Sequence, residues 1–144
     1  MTALGHTALR QLALRVLARQ SGAEPAAGTL AAAGRRVYDD LARVSTPLIG
    51  QVGFDGLMRR AVYLAQREHA WLVERRGAGP AAESPAGALL GLEHQDPAVA
   101  TEAAAAVFAA FGGLLVAFIG EPLTLVLLRE AWPEAFSQGD SEET

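Results

Sequence analysis

The chain is expected to be all-α, a compact bundle of four to six helices around one apolar Ala/Gly/Phe-rich helix at about 97–119. Three observations lead there. Ala, Leu and Arg dominate the sequence, and no segment alternates polar and apolar residues for long, so strand signals are weak. Apolar residues recur instead at spacings of three and four. The segment PAVATEAAAAVFAAFGGLLVAFIG (97–120) is apolar all the way round, as a helix surrounded by protein or lipid must be.

The first helix spans about 5–20. Leu9, Leu12 and Val16 lie on one side, and Leu14 and Leu17 on nearly the opposite one. One neighbour cannot cover both sets. The helix is therefore sandwiched between elements, or Leu14 and Leu17 form an oligomer interface. A second helix covers about 30–44, with Thr29 as N-cap. Leu30, Gly34, Val37, Leu41 and Val44 make its packing seam, and Gly34 allows close approach of a neighbour. Arg35–Asp39, Arg36–Asp40 and Asp39–Arg43 are i,i+4 pairs of a solvated face, each contributing only a few tenths of a kcal/mol.

Ser45-Thr46-Pro47 is expected to restart the chain, with Thr46 as cap and Pro47 in the first turn of a short helix, LIGQV, that ends near Gly53. A third long helix follows over about 54–75. GAGPAAESPAG (77–87) is rich in Pro and Gly and reads as a flexible connection, with a short helix at 88–94 beyond it. Asp96-Pro97 is a strong start signal for the central helix, and Gly120 can end it. Glu121-Pro122 starts another helix, PLTLVLLREAW, which Pro133 helps to end. The acidic tail near 137–144 is expected to be disordered. The 144 residues thus form a single helical domain, long enough to bury a core without staples.

Residues 103–120 are eighteen uncharged positions, about 27 Å of helix, so a bilayer span is physically allowed. Three features favour a buried core helix. Seven of the eighteen residues are Ala, both flanking charges (Glu102 and Glu121) are acidic, and the next helix, about eleven residues, is too short to return across a membrane. Within the segment, Ala105, Ala109, Gly113 and Ala117 form a small-residue stripe, and Phe108, Phe111, Leu115 and Phe118 form a bulky face. Gly112-Gly113 costs helix stability, and its plain explanation is close helix packing; the alternative is a hinge or the floor of a ligand cavity.

Composition narrows the chemistry. With no cysteine, disulfides, thiolate metal sites and cysteine nucleophiles are excluded, which fits a reducing cytoplasm. All twelve basic residues are Arg and none is Lys, as expected of a GC-rich, bacterial genome. A net charge of −4 argues against a nucleic-acid partner. Arg10, Arg15 and Arg19 interrupt any secretory signal. His6, His69 and His94 share no ligand spacing, so no metal or cofactor is expected, and no catalytic motif is present.

Four residues are candidates for a binding site. Glu68 falls on a helical wheel among Leu64, Ala65 and Leu72, where a carboxylate needs a partner such as Arg75 or Arg129 or reaches water at the edge of the face. Glu121 stands at a corner between apolar helices, and Phe111 could wall an apolar site. The leading expectation is a non-enzymatic, self-associating interaction or regulatory module in the cytoplasm, a homo-oligomer or one with a protein partner. The alternatives are a helical binding protein for an apolar small molecule, a helix–turn–helix DNA-binding regulator presenting Arg59 and Arg60, and a membrane-active helical protein.

Overall fold

The computed structural model describes residues 5–21, 27–72, 92 and 95–136. Of these, 88% are helical and none is in a strand, so the protein is an all-α bundle. Helix α1 is His6–Ser21. A helical run Ala27–Ala65 is divided at Gly50, whose φ of 81° and ψ of 164° lie outside helical geometry, into α2 (27–49) and α3 (51–65). Helix α4 is Pro97–Ile119 and α5 is Glu121–Ala131.

The break at Gly50 is a true reversal. Tyr38 and Phe54, sixteen residues apart, would be separated by about 24 Å along a straight helix. Their rings instead meet edge to face with centroids 5.3 Å apart. Phe54 continues the stack onto Phe111 of α4 at 5.4 Å. Only glycine adopts that backbone conformation readily, which explains why the turn is at Gly50.

Helix α4 packs against α1, the α2–α3 pair and α5, and is the centre of the bundle. Residues 103–109, Phe111, Gly112 and Leu115 are buried. Each large side chain among them, Phe111 and Leu115 included, contributes about 1.5–3 kcal/mol by leaving water. Both ends of α4 follow their local chemistry. The Asp96 carboxylate accepts from the Ala98 N–H at 3.1 Å, and the Gly120 N–H donates to the Val116 carbonyl at 2.9 Å. The seam Leu30, Gly34, Val37, Leu41, Val44 is buried as its spacing implies. Gly34 makes room for Leu92: a Cβ there would lie 3.2 Å from Leu92 Cδ1. The far end of α5 is tied to α2 by Trp132, whose Nε1–H donates to the Asp40 carboxylate at 3.1 Å.

Several expected boundaries differ. Helix α2 begins at Ala27, so Thr29 lies within its first turn. The chain stays helical through Ser45-Thr46-Pro47, and the Thr46 hydroxyl donates back to the Ala42 carbonyl at 2.6 Å. LIGQV is not a separate helix, because the reversal falls inside it at Gly50. Helix α3 ends at Ala65, ten residues before the expected 75. There the Ala65 carbonyl accepts from the N–H groups of both Glu68 and His69, at 3.1 and 3.0 Å, closing the helix with a tight turn. The Gln66 side chain donates to the Leu72 carbonyl and holds the following segment so that Leu72 is buried. Of the expected charge pairs, Arg35–Asp39 forms at 3.2 Å, whereas Arg36 donates to the Gln20 carbonyl and Arg43 turns to Asp40. The connection at 77–87 and the tail at 137–144 lie outside the described residues, as does the short helix expected at 88–94 apart from Leu92.

Candidate functional site

The two adjacent glycines of α4 have different surroundings. A Cβ built on Gly112 would meet Leu9 of α1 at 2.9 Å, so Gly112 is a close-packing residue. A Cβ on Gly113 would have nothing within 4 Å. Gly113 faces an open-sided cavity of about 440 Å³ between the start of α1, the end of α3 and the middle of α4. Cavities of that size are within the range used for small-molecule binding.

The wall of this cavity is aliphatic: Leu9 from α1, Leu64 from α3, and Ala106, Ala110, Leu114 and Val116 from α4. Among the described residues, no Phe, Tyr or Trp lines it. Its rim carries the polar groups His6, Arg10, Arg67 and Glu68. Arg10 is braced on two sides. One guanidinium nitrogen is hydrogen-bonded to Glu102 of α4, and the other is 4.0 Å from the Glu68 carboxylate. Arg10 thereby links α1, the turn after α3 and α4 across the mouth. These partners are exposed enough that the network adds little to stability, and its main effect is to fix the geometry of the rim.

Glu68 is thus brought to the cavity, but by a route the helical wheel does not describe. It lies beyond the end of α3 with its side chain 66% exposed, and its partner is Arg10, not Arg129. Arg75 lies outside the described residues. The other candidates are elsewhere. Phe111 is fully buried against Phe54 and has no surface to offer a ligand. Glu121 occupies the first turn of α5, where the helix dipole favours an acid. Arg129 lies over the ring of Phe136 at 5.5 Å. Leu17 is completely covered by the chain's own core and Leu14 is half-buried against it, so α1 is sandwiched within the bundle. Leu17 has no surface with which to meet another subunit.

His6 and Arg10 escaped sequence reasoning because α1 is far in sequence from the residues it joins. Arg59 and Arg60 are exposed on α3, with Arg60 over the Tyr63 ring at 5.8 Å. No group of His, Asp and Glu suited to a metal ion occurs among the described residues.

A second apolar surface lies between α2 and α5. It is a more open groove of about 490 Å³ that includes Pro47, Leu48 and Leu123, with Arg43 and Glu130 at its edge. Leu48 and Leu123 are 48% and 38% exposed. Helix α4 is also long and apolar enough to cross a bilayer by length and composition, with 56% of its most apolar stretch buried in the bundle. Its last two turns are partly open, and Phe118 there is 64% exposed. No family model, curated protein or solved structure matches the chain.

Proposed function

We propose that this protein is a non-enzymatic binding protein for an apolar small molecule, held in the cavity beside Gly113. One observation carries the reading. Gly113 sits in mid-helix, where glycine costs about 1 kcal/mol relative to alanine, and no packing contact requires it. A side chain there would occupy the cavity. The aliphatic wall supplies the hydrophobic driving force, and the ligand's binding region lies within the bundle, which fits a cytoplasmic protein better than a membrane span.

Titration of the purified chain with a neutral solvatochromic dye tests this. The expected result is saturable, one-to-one binding that Gly113→Leu abolishes while the helical circular dichroism is retained. Absence of binding by the unmodified protein, or full binding by Gly113→Leu, refutes the reading.

Self-association remains a second reading, supported by the exposed Leu48 and Leu123 rather than by α1. Sedimentation velocity of Leu48→Glu combined with Leu123→Glu tests it. A smaller species than the parent supports it, and a monomeric parent removes it.

A further inference from the structure

Leu9 stands between two spaces. On one side is the cavity of about 440 Å³ beside Gly113. On the other is a void of about 10 Å³ in the buried core, bounded by Leu12, Leu41, Phe108, Leu128 and Trp132. Among the described residues, Leu9 alone borders both. Helix α4 divides in the same way: Ala106, Ala110 and Gly113 turn to the cavity, and Phe108, Phe111 and Gly112 turn to the void. The seat of Leu9 is the bare backbone of Gly112, where a Cβ would lie 2.9 Å from Leu9 Cδ2 and 3.3 Å from Leu9 Cδ1. A side chain at position 112 would push Leu9 off that seat, with the cavity as the open direction. The two glycines thus act on one space: Gly113 leaves it empty, and Gly112 lets Leu9 stay out of it.

We propose that Leu9 is the specificity-determining residue of the cavity, its isobutyl group forming the inner end and limiting how long an apolar chain the protein accommodates. This rests on the apolar-ligand reading above and names the residue that selects among such ligands. The α4 wall cannot retract, because Ala106, Ala109 and Ala110 end at Cβ on a helix held from several sides. Leu9 is the side chain at the boundary whose shortening would join the cavity to the void behind it.

The test is a series of straight 1-alkanols, hexanol to tetradecanol, displacing the neutral dye from the full chain. In the parent, affinity is expected to rise about fourfold per methylene, then level off once the cavity is filled and further methylenes stay in water. Leu9→Ala shortens the inner end and should move the levelling-off point later by about two or three carbons. Gly112→Ala should move it earlier by about one carbon through displaced Leu9, although Gly112 does not itself border the cavity. In the double variant the Gly112→Ala substitution should lose its effect, because the side chain it displaces is gone. General loosening of the fold would instead weaken every length alike and leave the levelling-off point in place. Circular dichroism reports the fold of each variant. Should Leu9→Ala not fold, Leu9→Val serves the same comparison with a smaller shift.

Levelling-off at the parent's length in the folded Leu9 variant or in Gly112→Ala overturns the assignment to Leu9 and leaves the apolar-ligand reading standing. A Gly112→Ala shift that persists once Leu9 is shortened to Ala does the same. Failure of the dye and of every alkanol to bind the parent overturns both.

Discussion

Replacing each glycine of the Gly112-Gly113 pair by alanine should move stability in opposite directions. Both residues are helical and neither has a positive φ, so both substitutions gain the same intrinsic term, about 0.8–1 kcal/mol. Their surroundings then separate them. At position 113 the added methyl meets nothing within 4 Å, so Gly113→Ala should keep that gain. At position 112 the methyl would be 2.9 Å from Leu9 Cδ2 and 3.3 Å from Leu9 Cδ1. Leu9 is itself 4% exposed and borders the cavity, so it must shift away from its present packing, with the cavity as the open direction. Such overpacking costs about 1–3 kcal/mol, leaving Gly112→Ala between neutral and ~2 kcal/mol destabilised. The two variants should therefore differ by about 1–3 kcal/mol, roughly 3–10 °C in Tm for a chain of this size. Urea unfolding followed by circular dichroism measures the difference. Equal shifts of the same sign would refute the reasoning. A Gly113→Ala variant destabilised beyond about 0.5 kcal/mol would show that position 113 is packed and that the cavity is not open.

Two further pairs follow from burial. Phe111→Ala should cost about 3–5 kcal/mol, because Phe111 is fully buried, whereas Phe118→Ala should stay within ~0.5 kcal/mol; chemical denaturation of both variants checks the contrast. Leu17→Glu should unfold the protein, not dissociate it, since the new charge would have no route to water, and Leu14→Glu should be milder; sedimentation with circular dichroism would identify a folded, smaller Leu17→Glu species as the contrary result.

Much of the architecture was legible because it depends on local chemistry. Asp96-Pro97 and Gly120 delimit α4 through a carboxylate cap, a proline in the first turn and a glycine with positive φ, all properties of neighbouring residues. The seam of α2 was legible because helical periodicity alone determines which residues share a face. The end of α3 was not. No Gly or Pro stands between Gly56 and Gly77 to mark it, and the apolar spacing continues to Leu72. The helix stops at Ala65 because the turn after it can bury Leu72 and bond its carbonyl to Gln66, a tertiary outcome. Likewise Pro47 is the more conspicuous breaker, but Gly50 can reverse the chain and Pro47 can be absorbed into the last turn of α2. The cavity was half visible. A glycine doublet indicated either close packing or a cavity floor, and the two residues divide those roles between them. The rim depends on which helix lies opposite, and that information resides in the packing of α1.

The position of α4 also bears on how the protein is made. The bundle's centre is encoded late: α1, α2 and α3 all precede Pro97, and α1 and the α2–α3 pair pack on α4. At the usual pace of translation, about 5–20 residues per second, roughly 5–20 s separate the synthesis of Leu9 from that of Ile119. Until α4 is made, Leu9 and Phe54 lack their final neighbours Gly112 and Phe111. The α2–α3 hairpin, closed by Gly50 and the Tyr38–Phe54 contact, can form alone because its contacts are close in sequence. The nascent chain therefore waits as a partly assembled shell, and α4 enters it late, followed only by α5, as an apolar rod. Until it docks, that rod is the segment a chaperone or a nearby bilayer would meet.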